Sequence, residues 1–141
     1  MGGYDPLTNP SAALDPSTQG NPNYDESHYI NSLSTQLVAA GWNAHFVVDQ
    51  GRAGVYISSG TTCNAKGAGL GTRPTTNTNS SLIDAVVWVK PPGESDGTSD
   101  RGSPNYDSGC GGSGSKVPSP EAGQWFQAYF VDLVTNANPA L

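Results

Sequence analysis

Two short apolar runs, Ala44 to Val48 (AHFVV) and Ala85 to Val89 (AVVWV), stand out from a chain otherwise broken up by glycine, proline and small polar residues. The second contains no polar residue and is rich in β-branched side chains, the pattern of a strand buried on both faces, as in a parallel sheet. Tyr29, Leu33 and Leu37 recur at four-residue spacing within Asp25 to Ala40, and Gly41 follows as a stop, so this segment is expected to be a helix. A last helix is expected to open at Ser119-Pro120-Glu121, with a capping serine and proline in the first turn. Along it Trp125, Tyr129 and Leu133 share one line, and Phe126, Phe130 and Val134 another. A stripe that wide is what packing demands, so it is assigned to the core and not to an exposed stacking platform. Helix, strand, long irregular stretch, strand and helix make about two β/α units, and the class is α/β. There is no internal repeat.

Both strands run straight into charge. Asp49-Gln50-Gly51-Arg52 follows the first, and Lys90, Glu94 and Asp96 follow the second within WVKPPGESDGTSD. The carboxyl ends of parallel strands are where barrels and open α/β sheets place substrate. Pro91, Pro92, Gly93 and the Asp96-Gly97 dipeptide would form a loop in any case. Two neighbouring strands that deliver charge at the same end point to a shared cleft.

These segments carry a family resemblance. DQGR at 49–52, GLGTRPTTNT at 69–78, WVKPPGESDGTSD at 88–100 and AGQWFQAYFVDLVTNANP at 122–139 resemble, in order, the C-terminal part of glycoside hydrolase family 6, the cellobiohydrolases and endoglucanases. TQGNPNYDESHYI at 18–30 fits the same family, closer to its fungal members, so the likeness runs from about Thr18 onward and leaves 1–17 poorly assigned. The resemblance implies the C-terminal portion of a distorted β/α barrel, loop-rich and incomplete as a barrel. It implies hydrolysis of β-1,4-glucosidic bonds with inversion, cellulose or another β-1,4-glucan as partner, no cofactor, a monomer and a secreted enzyme. The family's general-acid aspartate lies in an upstream segment with no counterpart here, so the isolated chain is expected to be inactive. Met1-Gly2-Gly3-Tyr4 carries no secretory leader, and the start is expected to be a truncation or a misplaced gene-model start.

Composition narrows the picture in the same direction. The 141 residues suit one domain, 1–141, but fall short of a complete barrel of about 250 residues. Charged residues make up only 13 %, with 18 glycines and 11 prolines, so long loops connect few regular elements. A net charge of −6 argues against a nucleic-acid partner, whose phosphates it would repel, and suits a neutral polymer. No apolar run approaches membrane-spanning length, which argues against a membrane partner. His28 and His45 sit in unrelated contexts, and neither they nor the cysteines have the spacing of a metal site. Cys63 and Cys110 lie in loops of Gly, Ser and Thr; they are either two free, partly buried thiols or a disulfide closing a loop of about 47 residues, worth roughly 4 kcal/mol. The family resemblance implies the disulfide. Asn79-Ser80-Ser81 is a glycosylation sequon, in keeping with a secreted protein.

Carried over residue by residue, the resemblance makes Asp96 the aspartate of the GES/CDGTSD loop, a candidate catalytic base. It makes Lys90 and Glu94 substrate-binding residues, and Arg52 with Lys90 the cations around Asp96. Two cations beside a carboxylate lower its pKa, which suits charge stabilisation or a proton relay through water better than strong proton abstraction. Asp49 and Gln50 are expected to shape their turn and Asp100 to stabilise its loop.

Two departures stand out. Between Arg52 and Cys63 the loop AGVYISSGTT is shorter than in typical fungal cellobiohydrolases, and Thr62 replaces a sugar-stacking tryptophan. Tyr56 is either a partial substitute or a packing anchor. Gly3-Tyr4-Asp5 stands where the family commonly has Asn-Tyr-Asn. The missing acid segment and the lost tryptophan leave a second reading open, a non-catalytic β-glucan-binding remnant or pseudoenzyme; an upstream segment carrying the general acid would decide against it.

Overall fold

The computed structural model describes residues 4–9, 11–57 and 61–141. Met1 to Gly3, and Ser58 to Gly60 of the shortened loop, lie outside the described residues. A 3-10 turn at Ala12–Leu14 precedes helix α1 (Glu26–Ala39), strand β1 (Phe46–Asp49), strand β2 (Ile83–Val87) and helix α2 (Gln127–Thr135).

Helix α1 starts where the sequence places it, because Asp25 caps it: the carboxylate accepts the His28 backbone N–H at 2.9 Å. It ends in a Schellman turn. Gly41 takes φ +88°, the Trp42 N–H bonds the Leu37 carbonyl at 2.9 Å, and the Gly41 N–H bonds that of Val38 at 2.9 Å. The buried line is nevertheless Ile30 and Ser34, while Tyr29 stays half exposed. The stripe expected at Tyr29, Leu33 and Leu37 is therefore rotated by one residue, because Ile30 is the side chain that packs on Val48 and Ile83 of the sheet.

β1 and β2 pair in parallel, with Val48 opposite Val86 and Asp49 opposite Val87, and an irregularity between Phe46 and Val47. Parallel strands need a crossover, and residues 50–82 provide it without forming a helix or a strand of their own among the described residues. Thr75 covers the outer edge of β2 by exchanging two backbone hydrogen bonds with Val86. Burial on both faces is not what the sheet shows: Val48 and Val86 are buried, but Val47 is 62 % exposed and Val89, beyond the end of β2, is 72 % exposed. A layer covers only one face of this two-stranded sheet, so burial alternates along β1, while in β2 the buried Ile83 and Val86 stand three apart across the register shift. The class is α/β, and the sheet does not close on itself.

The second core gathers around α2, where Tyr129 and Leu133 pack with Tyr4, Ala65, Ala68, Leu70 and Phe126. The helix begins at Gln127, well after the expected start at Ser119. Ser119 is drawn into tertiary contacts instead: its hydroxyl donates to the Gly97 carbonyl at 2.8 Å, and its carbonyl accepts from the Thr98 hydroxyl at 3.2 Å. Ser95 likewise donates to the Pro120 carbonyl, at 2.9 Å. The segment that looks like a cap thus braces the loop after β2. The stripe assigned to the core holds for Phe126, Tyr129 and Leu133, whereas Trp125 is 54 % exposed and Val134 37 %. Trp125 falls before the helix, with its ring lying over the backbone of Gly93. Cys63 and Cys110 are joined in a disulfide, with Cα atoms 5.0 Å apart.

Leu133 is wholly buried, so Leu133→Ala is expected to lower stability by about 3 kcal/mol, and Val131→Ala, on the exposed face, to change it by under about 0.5 kcal/mol. Denaturant midpoints of the two variants check this; equal losses would place the α2 core elsewhere.

Candidate active site

The charges from the two strand ends meet. Arg52, just past β1, is 1 % exposed, and its Nη1 donates to Asp96 Oδ2 at 2.6 Å and to the Tyr4 hydroxyl at 2.7 Å. Its Nε donates to the Pro92 carbonyl at 2.9 Å, and its Nη2 to the Glu94 carbonyl. The guanidinium also lies over the rings of Tyr4 and Tyr129, 5.5 and 5.0 Å from their centroids. Lys90 reaches Asp96 Oδ1 at 3.3 Å and Glu94 Oε1 at 3.1 Å. All four residues singled out from sequence, Arg52, Lys90, Glu94 and Asp96, therefore fall within one cluster at the carboxyl ends of β1 and β2.

Asp96 sits at its centre. Oδ2 accepts from Arg52, from the Tyr4 hydroxyl at 2.9 Å and from the Asn64 backbone N–H at 2.8 Å. Burial pushes the Asp96 carboxyl up, but the Arg52 charge and these hydrogen bonds outweigh it and hold the group below the usual carboxylate range. The same contacts act in reverse on their partners. Burial raises Tyr4 and Tyr129, whose hydroxyls lie 3.1 Å apart, so both stay protonated as donors. Burial lowers Arg52, yet Tyr4 and Asp96 more than restore its preference for the charged form. The arrangement keeps a carboxylate ionised between two cations, suited to stabilising developing positive charge or ordering a water.

The turn residues behave as expected. Asp49 Oδ1 accepts from the Gly51 N–H at 3.0 Å, and Asp100 Oδ1 accepts from the Gly102 N–H at 2.8 Å. Gln50, 2 % exposed, does more: it donates to the Asp5 carbonyl at 2.8 Å and accepts from the Leu7 N–H at 3.1 Å, tying the N-terminal segment to the end of β1. Tyr56 is half-buried with its hydroxyl 3.3 Å from Asp15 Oδ2, the geometry of an anchor. Asp96 borders a hollow of about 390 Å³ shared with Gly97, Asn105, Asp107, Cys110, Glu121 and Ala122. A larger hollow of about 700 Å³, between Pro6, Asn9 and Ser11 on one side and Val55 and Tyr56 on the other, has no charged residue among its described lining.

Sequence reasoning passed over Tyr4, Asn64 and Tyr129. Tyr129 was legible only as an apolar helix position, and Asn64 has no local motif beyond its place after Cys63. Tyr4 stood in a short run noted as a departure; its use depends on contacts 48 and 92 residues away.

The profile of the glycosyl hydrolases, family 6, matches residues 2–137. Exoglucanase 3 of Agaricus bisporus is 65 % identical over 134 residues, covering 93 % of this chain and 31 % of that protein. Among solved structures, the CcCel6A catalytic domain complexed with p-nitrophenyl β-D-cellotrioside superposes with a TM-score of 0.90 at 57 % identity, covering 98 % of this chain and 39 % of that one. Cellobiohydrolase II (Cel6A) of Humicola insolens, in complex with glucose and cellotetraose, gives 0.89 at 48 %, over 98 % of this chain and 39 % of that one. The chain spans about a third of the length of these relatives.

Because the Asp96 carboxyl is depressed in the folded state, its stabilising contribution is complete above the unfolded value, about pH 4, and is lost as pH falls through the folded value. Asp96→Asn is expected to flatten the acid side of the stability curve below about pH 4. Thermal midpoints from pH 2 to 6 check this; an unchanged acid limb would show that Asp96 does not titrate low.

Proposed function

Since the chain belongs to family 6 of the glycosyl hydrolases, we propose that it supplies the C-terminal part of the cleft of a secreted, monomeric enzyme that hydrolyses β-1,4-glucosidic bonds in cellulose with inversion. The observation that carries this reading is the Asp96 carboxylate held between Arg52 and Lys90 at the carboxyl ends of two parallel strands. Inversion needs an acid for the leaving oxygen and a water on the opposite face of the ring, the two carboxyl groups standing about 6.5 to 9.5 Å apart. In this proposal the acid comes from the upstream segment that the longer relatives possess, and Asp96 faces the developing oxocarbenium charge or relays a proton through water. Its low pKa favours those tasks over strong proton abstraction.

Lys90 and Glu94 bind glucose hydroxyls. Their side chains are partly exposed and paired with each other at 3.1 Å, so each keeps hydrogen-bonding capacity for a ligand. Arg52, fully enclosed, supports Asp96 electrostatically and does not touch sugar. Alone, the chain leaves Val47 and Val89 exposed and the sheet two strands wide, which argues that cleavage needs the remaining barrel.

Sugar release from β-1,4-glucan by this chain beside a version extended upstream to the length of its relatives tests the reading. Activity only in the extended form is expected, with Asp96→Ala lowering kcat by about 10²-fold or more while KM changes little. Near-normal turnover in that variant, or no activity in either form, would overturn it.

A further inference from the structure

Asn64 is fully buried in the left-handed region at φ 44°, a conformation asparagine tolerates better than most residues. Its contacts with the loop after β2 are reciprocal. The Asn64 backbone N–H donates to Asp96 Oδ2 at 2.8 Å, and the Asp96 backbone N–H donates to Asn64 Oδ1 at 2.9 Å. Asn64 Nδ2 adds bonds to the Gly97 carbonyl at 3.1 Å and to Ser95 Oγ at 3.3 Å. The Asn64 carbonyl accepts the Lys116 N–H at 2.8 Å, so every polar group of the residue is engaged.

The disulfide holds this clamp from both sides. Cys63 immediately precedes Asn64, and its partner Cys110 lies against the residue after Asp96: a Cβ on Gly97 would stand 2.7 Å from Cys110 Sγ. The carboxylate is thereby divided in its duties. Oδ2 faces Asn64, Arg52 and Tyr4 inside the protein, while Oδ1 is turned toward Lys90 at 3.3 Å.

We propose that Asn64, anchored by the Cys63–Cys110 disulfide, is a positioning residue that fixes the Asp96 backbone and decides which carboxylate oxygen is presented to the cleft. Its catalytic meaning rests on the reading of Asp96 given above; the clamp itself rests on the geometry alone. Asn64→Gly keeps the left-handed backbone accessible and removes only the side chain. The Asp96 loop then loses three of its ties; Arg52, Tyr4 and the Asn64 N–H remain as donors to Oδ2, but the loop backbone that aligns the carboxylate with them is no longer held.

Carboxyl NMR of the 141-residue chain, with aspartate labelled, tests the clamp without any activity. In Asn64→Gly the Asp96 midpoint is expected to rise by about one pH unit and the Asp96 amide to exchange faster. Ser115→Ala is the comparison: Ser115 is equally buried, bridged to Ala65 close to the disulfide, with its hydroxyl on the Gly109 carbonyl at 2.7 Å and no hydrogen bond to Asp96. It should leave the Asp96 midpoint unmoved; an equal rise in both variants, or none in Asn64→Gly, overturns the proposal. If Asn64→Gly fails to fold, the isosteric Asn64→Asp sets a second carboxylate against Asp96, and an Asp96 midpoint unchanged there overturns it too. In the upstream-extended enzyme, Asn64→Gly should lower kcat about tenfold with KM nearly constant. A raised midpoint with unchanged kcat would leave the clamp standing and overturn the catalytic reading of Asp96.

Discussion

Arg52 is a guanidinium almost wholly removed from water, and such a charge persists in a protein only when its charge and its N–H donors are met. Asp96 supplies the charge, the Pro92 and Glu94 carbonyls and the Tyr4 hydroxyl take the other donors, and the Tyr4 and Tyr129 rings face the planar cation. These partners come from three places: Tyr4 from the N-terminal segment, Pro92, Glu94 and Asp96 from the loop after β2, and Tyr129 from helix α2. One buried ion therefore sets where three otherwise separate segments must meet.

The same constraint explains why so much of the chain is ordered without regular structure. The 50–82 crossover is held by contacts such as the Leu70 N–H on the Leu133 carbonyl and the Asn138 N–H on the Leu70 carbonyl, each spanning 63 to 68 positions. The disulfide and the Asn64 contacts do for the 95–97 loop what a ladder would do for a strand. Loops tied in this way can carry a charged cluster at fixed geometry while the sheet beneath them has only two strands.

Where the two-stranded sheet is uncovered, the apolar surface marks a boundary. Val89 is exposed although its run reads as a strand buried on both faces, and Val47 of β1 is exposed as well. The pattern in the sequence suits a sheet with layers on both faces, and relatives about three times as long contain the additional chain to build one.

Sequence alone determined those features whose causes are local. Asp25 and Gly41 bound helix α1 because a cap and a left-handed stop act on their own neighbours. The apolar runs located β1 and β2 to within two residues, and the charges that follow them in sequence meet in one cluster. Motif order was enough to identify the family, because long matched segments seldom recur by chance. Tertiary structure decided the rest. It recruited Ser119 away from a helix cap, rotated the buried face of α1 from Tyr29 to Ile30 and left Trp125 outside the core. It also gave Tyr4, Asn64 and Tyr129 their places around Asp96, because a hydrogen bond across 32 to 125 positions is selected by the packing of both partners and leaves no periodicity along the chain to read.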